Sequence, residues 1–416
     1  MHLRDVPGGP DAFELAAKFC YGVRLELTAT NVVPLRCAAE YLEMTEEFGE
    51  GNLIARTEGF LSQVVLRNWR ESTRALHSCE SVFSQAEELV IVNMCVDAVT
   101  VKACMDPSLL LGWPMPNNPM QSPGGGFLWN GISTGARPKK PCSDWWYEDI
   151  AVLSLPLYKR VIIAMEEKGI KPESIAGSLM DFARRYLPAL NKRQGAKELG
   201  GSNRYSSLSL SSIPSEAEQK VILETIEELL PMQKAVVPTK FLSGLLRSAI
   251  ILNANAHCKN NIEKRIGLQL DQANLEDLLL PNLTYNLETL YDIDCVQRIL
   301  DHFLLLDQTN RPISSPSSDD EGHMISSPSL TPTMMVARLM DGYLAEVAPD
   351  VNLKLPKFQS LAEAFPDFAR VSNDGLYRAI DIFLKVSSAL SILLRLFLCV
   401  NYVRCMVTSH QILVSL

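Results

Sequence analysis

The strongest constraint on this chain is a series of apolar stripes that recur at three- and four-residue intervals. Ser215-Glu-Ala-Glu218 is a capping box, in which the Ser and Glu side chains each satisfy a backbone N–H at a helix start. It opens a helix with Ile222, Ile226, Leu229 and Leu230 on one face, stopped by Pro231. From Thr239 a second stripe carries Phe241, Leu242, Leu245, Leu246, Ala249 and Ile250. Ile293, Val296, Ile299, Leu300, Phe303 and Leu304 form a third. Val336, Leu339, Met340, Tyr343 and Leu344 form a fourth, ended by Pro349. Asp374 is the expected N-cap of a fifth, with Leu376, Ile380, Phe383 and Leu384. Stripes this wide belong to helices packed on other helices, so a mainly α fold is expected.

Three loose stretches interrupt the pattern. Residues 106–143 hold seven Pro and six Gly, and 191–215 are Gly- and Ser-rich. Residues 311–333 combine four Pro and seven Ser with Asp319-Asp320-Glu321. Such segments bury too little apolar surface to offset ordering entropy and read as linkers or insertions. Near the N-terminus, Pro10 to Phe19 reads as a short helix and Val23-Arg-Leu-Glu-Leu27 alternates like a strand. Val33, Cys37, Ala38, Tyr41 and Leu42 return to helical spacing, which places Tyr41 on the core side. A lone strand cannot satisfy its own edges, so the alternating segment needs partners.

Chemical motifs are sparse. Gly131-Ile-Ser-Thr-Gly135 matches a nucleophile elbow but lies in the first linker, without the strand and helix that would expose Ser133 to a base. The six His residues share no ligand spacing, and no phosphate loop or dinucleotide turn is present. The ten Cys contain no Cys-x-x-Cys pair, which leaves zinc ribbons unsupported and fits free thiols in a reducing compartment. No catalytic residue, cofactor or metal is therefore expected. Lys plus Arg number 39 against 48 Asp plus Glu, and a net charge of −9 argues against nucleic acid as a partner. Glu224, Glu227 and Glu228 read as a solvated face, and Lys259, Lys264 and Arg265 as a small basic cluster. Trp145-Trp146, directly after the first linker, read as the core anchor of the next helix.

Several ordered blocks resemble a plant family. Val6-Pro-Gly-Gly-Pro-Asp-Ala-Phe-Glu-Leu-Ala-Ala-Lys-Phe-Cys-Tyr-Gly22 and Asn31-Val-Val-Pro-Leu-Arg-Cys-Ala-Ala-Glu-Tyr-Leu-Glu-Met44 resemble the second half of a plant BTB/POZ domain. Trp145-Trp-Tyr-Glu-Asp149 with Tyr158-Lys-Arg160 resembles the opening of a NON-PHOTOTROPIC HYPOCOTYL-type domain. Phe241 to Ile251, Arg265-Ile-Gly-Leu-Gln-Leu-Asp-Gln272 and Asp374-Gly-Leu-Tyr-Arg-Ala-Ile-Asp381 are similar to its later blocks. The chain is thus similar to the NON-PHOTOTROPIC HYPOCOTYL / ROOT PHOTOTROPISM-like family, over about Arg4 to Lys385.

The resemblance implies a helical family domain preceded by a partial α/β BTB/POZ remnant. The expected division is a remnant at 1–75, a helical extension at 76–105, the linker at 106–143 and the family domain at 144–385, with insertions near 191–215 and 311–333. By resemblance the protein is a substrate adaptor of a cullin-3-type ubiquitin ligase, in phototropin blue-light or auxin-related signalling. The competing reading is a scaffold that binds a receptor kinase at the membrane periphery without delivering ubiquitin. A serine hydrolase using Ser133 is a third. Glu40, Tyr41 and Glu43 on the remnant and Tyr377 in the family domain are the candidate partner contacts. Ser315, Ser318 and Ser327 are candidate phosphate acceptors in the acidic insertion. Localisation is expected to be cytoplasmic, with the plasma-membrane periphery as an option.

Two departures from the family pattern carry expectations of their own. The BTB resemblance starts near its third helix, so an N-terminal truncation is expected, which argues against BTB dimerisation and weakens cullin docking. Residues 386–416 hold no acidic residue and read as a divergent apolar tail, either a membrane anchor or translated intron. Arg395 inside the apolar run costs about 2.5–3.5 kcal/mol at a bilayer centre. Translated intron after Lys385 is the favoured reading, with Val386-Ser387 compatible with a splice donor.

Overall fold

The computed structural model describes residues 6–105, 145–190, 214–282, 289–310, 331–370 and 372–386, with a two-residue ladder pairing Leu128–Trp129 antiparallel to Ile132–Ser133. The chain is mainly α and divides into two compact units, Met1–Arg185 with Leu229–Pro231, and Tyr186–Glu228 with Met232–Leu416.

The first unit opens with α1 (Gly9–Cys20), α2 (Val32–Tyr41) and α3 (Leu53–Phe60). Pro10 sits in the first turn of α1, where its missing N–H costs nothing, and Asp11 and Lys18 complement the helix dipole at either end. Helix α2 is the centre of this region: Val32, Val33, Leu35, Cys37, Ala38 and Ala39 are all buried. Then come α4 (Trp69–Ser78), α5 (Phe83–Glu88) and α6 (Ile91–Cys104). The Asn68 carboxamide caps α4 by accepting the N–H groups of Arg70 and Glu71.

Beyond the first linker the chain adds α7 (Tyr147–Ile150), α8 (Leu155–Glu167) and α9 (Pro172–Tyr186) to the same unit. Trp146 is buried, as the paired-Trp reading anticipates, and Trp145 meets Trp69 edge to face with ring centroids 4.7 Å apart. The Trp69 indole donates to Asp149 at 2.6 Å, and the Glu80 carboxylate accepts the Ser154 N–H at 2.8 Å. Arg160 pairs with Glu87 and lies over the Phe83 ring. Helices on both sides of the linker therefore share one core. After the linker, Gly177 lets α9 close on α7, because a Cβ there would lie 2.5 Å from the Tyr147 hydroxyl.

The expected strand at Val23–Leu27 is not formed. Residues 23–28 run without helix, turn or bend, and no other segment of the described chain pairs with them. Alternation oriented the side chains, with Leu25 and Leu27 packed on the Ala16, Leu35, Ala39 and Leu53 cluster, but a strand also needs a neighbour.

The second unit contains α10 (Glu216–Leu229), α11 (Thr239–Ile251), α12 (Ala256–Leu268), α13 (Leu275–Leu278), α14 (Ile293–Asn310), α15 (Pro332–Val347), α16 (Leu355–Ala362) and α17 (Asp374–Val386). The capping box is present: the Glu218 carboxylate accepts the Ser215 N–H at 2.8 Å, and Ser215 Oγ accepts the Glu218 N–H at 3.3 Å. Asp374 is the first helical residue of α17 rather than its cap, a one-position shift within ordinary boundary scatter. Helices α12 and α14 approach so closely that a Cβ on Gly267 would meet the Ile299 carbonyl at 2.9 Å.

Charged residues in this unit depart from the sequence reading. Glu227 is only 4% exposed, so the supposed solvated face includes a buried acid. Its partner is Arg265, which donates to the Glu227 backbone carbonyl at 2.9 Å and to its carboxylate at 3.4 Å. Arg265 is thereby removed from the surface basic cluster expected with Lys259 and Lys264. Burial raises the Glu227 carboxyl above its usual range, with Arg265 acting in the opposite direction. A second buried pair joins Arg370 to Asp341 at 3.0 Å, and Arg370 also donates to the Ala362 carbonyl at 2.9 Å.

Candidate protein-interaction site

The candidate contacts Glu40, Tyr41 and Glu43 come together at the C-terminal end of α2. The helix closes there with a left-handed residue, Glu43 at φ 53°, while the N–H groups of Leu42 and Met44 bond the Ala38 and Ala39 carbonyls. This reversal turns Leu42 and Met44 inward onto the core cluster. Tyr41 is 54% exposed and not a core residue. It lies two residues past buried Ala39, about 200° round the helix, so the ring must face away from the cluster that Ala39 joins.

Ion pairs brace the region from below. Arg36 is itself buried and donates to Glu40 at 2.7 Å and to Glu58 at 2.8 and 3.1 Å, which ties α2 to α3. The next turn, 45–52, is held by its own side chains. The Glu46 carboxylate accepts the N–H groups of Gly51 and Asn52 at 2.8 and 2.7 Å, and the Asn52 carboxamide donates to the Thr45 carbonyl at 2.7 Å. Held on this turn, Phe48 is 76% exposed. Tyr41 and Phe48 are thus two outward-facing aromatic rings on braced elements, among the exposed acids Glu40, Glu43, Glu47 and Glu50. Aromatic anchors with a charged rim suit protein recognition, since rings bury large area at low entropic cost.

Phe48 escaped the sequence reading. Its only local signal is an aromatic residue set in Glu46-Glu-Phe-Gly-Glu-Gly51, where no core periodicity applies. Tyr377 lies in the second unit on α17, half-buried with its hydroxyl oxygen enclosed, and so offers less surface than Tyr41. Ser315, Ser318 and Ser327 lie outside the described residues, as does the side chain of Ser133. Burial pushes the Cys37 thiol up to about 11 and the Cys258 thiol up to about 12, so neither is a ready nucleophile. Among the described residues, no helix is long and apolar enough to cross a membrane.

These features define a mainly helical protein with two exposed aromatic rings, Tyr41 and Phe48, on braced elements. The chain belongs to the NPH3 family, whose model matches residues 144–403. That match runs past Lys385, so family similarity does not break off there. A BTB/POZ domain-containing protein of Arabidopsis thaliana is 59% identical over 391 residues, covering 92% of this chain and 58% of the relative. A second from the same plant is 48% identical over 393 residues, covering 92% and 64%. Root phototropism protein 3 of Arabidopsis thaliana is 39% identical over 476 residues, covering 94% and 62%. The chain therefore spans about three fifths of the length of the curated relatives it matches. No solved structure matches it. The family is of the BTB adaptor type, which is a protein-interaction role.

Proposed function

We propose that this chain is a substrate-recognition adaptor of a cullin-3-type E3 ubiquitin ligase. In this reading the Tyr41 and Phe48 face docks the cullin, and the second unit, with Tyr377 as a candidate contact, recruits the protein substrate. The observation that carries it is the braced, outward-facing aromatic pair, in a chain whose relatives are named for BTB/POZ domains. The relative named Root phototropism protein 3 supports a place in light-directed growth signalling, with a phototropin-like receptor kinase among the partners. The adaptor would work in the cytoplasm or at the plasma-membrane periphery.

Biolayer interferometry against a cullin-3 N-terminal domain tests the docking. Tyr41→Ala with Phe48→Ala is expected to weaken binding by at least about tenfold, the size of loss typical when anchor residues are truncated. Equal binding by variant and parent overturns the assignment of the face. No binding by the parent, together with capture of the kinase, favours the scaffold that does not deliver ubiquitin.

A further inference from the structure

The C-terminal end of α15 carries acids where a helix favours cations. Glu346 lies in the last turn, Asp350 follows just beyond it, and the turn holds no basic residue. A helix C-terminus bears partial negative charge, so both carboxylates are held there against the dipole. The Asp350 carboxylate accepts only backbone N–H groups, from Leu290 at 2.6 Å and Asn352 at 2.9 Å. Glu346 is exposed, and among the described residues no cation pairs with it or with Asp350. The two acids line a groove of about 440 Å³ between the end of α15 and the segment Thr289–Tyr291. Both walls are braced. The Asn282 N–H donates to the Leu290 carbonyl at 3.0 Å and the Asp292 N–H to the Leu280 carbonyl at 2.9 Å, which fixes one wall. In the other, the Asp350 N–H donates to the Val347 carbonyl at 3.0 Å and the Leu353 N–H to the Asp350 carbonyl at 3.1 Å. Leu290 and Val351, one on each wall, are 67% and 75% exposed, and Tyr291 is half-buried.

Charge and lining together select the ligand. A groove with aliphatic rims and two carboxylates that no cation neutralises, set at the negative end of a helix, suits a side chain with a cationic tip and an apolar stem. Arginine meets this best, because its planar guanidinium pairs with carboxylates, stacks on rings such as Tyr291 and is less strongly hydrated than an ammonium. Aliphatic neighbours in the same peptide would cover Leu290 and Val351. We propose that this groove docks a segment of a partner protein that carries an arginine between aliphatic residues. The groove is formed without the partner, so ordering it adds little cost to binding. The inference rests on the second unit alone and does not depend on the cullin reading.

Fluorescence anisotropy on the full chain tests it, with a labelled Gly-Leu-Arg-Leu-Gly-Ser peptide and a counterpart that carries Glu in place of Arg. The Arg peptide should bind saturably and the Glu peptide should not bind. Glu346→Lys sets a like charge in the groove and is expected to weaken the Arg peptide by about tenfold. Glu346→Gln removes the charge without reversing it and should cost about threefold. Val351→Ser removes apolar contact and should also cost about threefold. Glu167→Lys makes the same charge change at an exposed residue of α8 outside the groove lining, and should leave the affinity unchanged. All three positions are exposed, so circular dichroism of each variant should match the parent. No saturable binding by the parent, binding indifferent to Glu346→Lys, or an equal loss in Glu167→Lys overturns the proposal. A dimer in sedimentation equilibrium that Glu346→Lys dissociates would give the groove to a second copy of the chain, and so overturns it as well.

Discussion

Around α4 and α7–α9 the helices of the first unit meet largely through rings, whereas the second unit adds to its stacked Phe358 and Phe383 ion pairs whose partners are both buried. In the first, Trp69 packs on Trp145, Trp146 on Tyr147, and Tyr158 stacks on Phe182 at 4.0 Å, with the Tyr158 hydroxyl bonded to Ser178 at 2.9 Å. Ion pairs there, such as Arg160 with Glu87, sit nearer the rim. The second unit instead encloses Arg265 with Glu227 and Arg370 with Asp341, and pairs Glu263 with Arg298 at 2.8 Å. Ring contacts tolerate small shifts, because dispersion and area burial are weakly directional. Buried ions do not, because an unpaired charge in low dielectric is strongly unfavourable. The second unit should thus be the more brittle to single polar changes and the more sensitive to pH.

The largest expected effect is Arg370→Ala, a loss of about 3–5 kcal/mol in urea unfolding, because Asp341 is left buried without its cation. Replacing both residues by Met and Leu should recover most of that loss. Equal losses in the single and double variants would break the contrast between the units. The pH dependence follows from burial, which raises the Asp341 carboxyl above its ordinary 3.8, against the pull of Arg370. The folded chain thus holds this proton more tightly than the unfolded one. The stability contributed is complete below 3.8 and falls as pH rises through the higher folded value. Arg370→Ala should widen the window of that fall, as read from urea midpoints across pH.

A smaller effect is expected from Trp69→Phe. It keeps most of the ring packing but removes the indole donor to Asp149, at a cost of about 1–2 kcal/mol. A greater loss, read from denaturant unfolding, would mean that this hydrogen bond rather than the rings holds α4 to α7. The smallest change expected is a gain. Val90 adopts φ 62°, a left-handed conformation that a β-branched side chain resists, and Val90→Asn should stabilise by about 1 kcal/mol. A melting temperature unchanged or lowered by Val90→Asn would remove strain as a feature of the turn before α6.

Helix positions were legible because their signals are local. The Ser215–Glu218 box, Pro231 after α10, and the stripes through Leu245, Ile299 and Met340 each lie within one or two turns of what they specify. Tyr41 misled because period alone does not say which of two nearly apolar sides faces the neighbours. Glu227 misled because its partner Arg265 lies 38 residues away. Phe48 gave almost no signal, since exposure on a turn depends on how Glu46 and Asn52 brace the backbone.

By itself, then, the sequence determined the helical class, most helix starts and stops, the anchoring Trp pair and the family resemblance. All of these depend on periodicity, capping chemistry or residue identity along the chain. Tertiary structure alone decided that helices on both sides of the first linker share a core, that Arg265 and Glu227 are interior, and that Tyr41 and Phe48 face outward. Each of those outcomes depends on which groups meet across long separations, where burial and pairing are set by neighbours that no local pattern names.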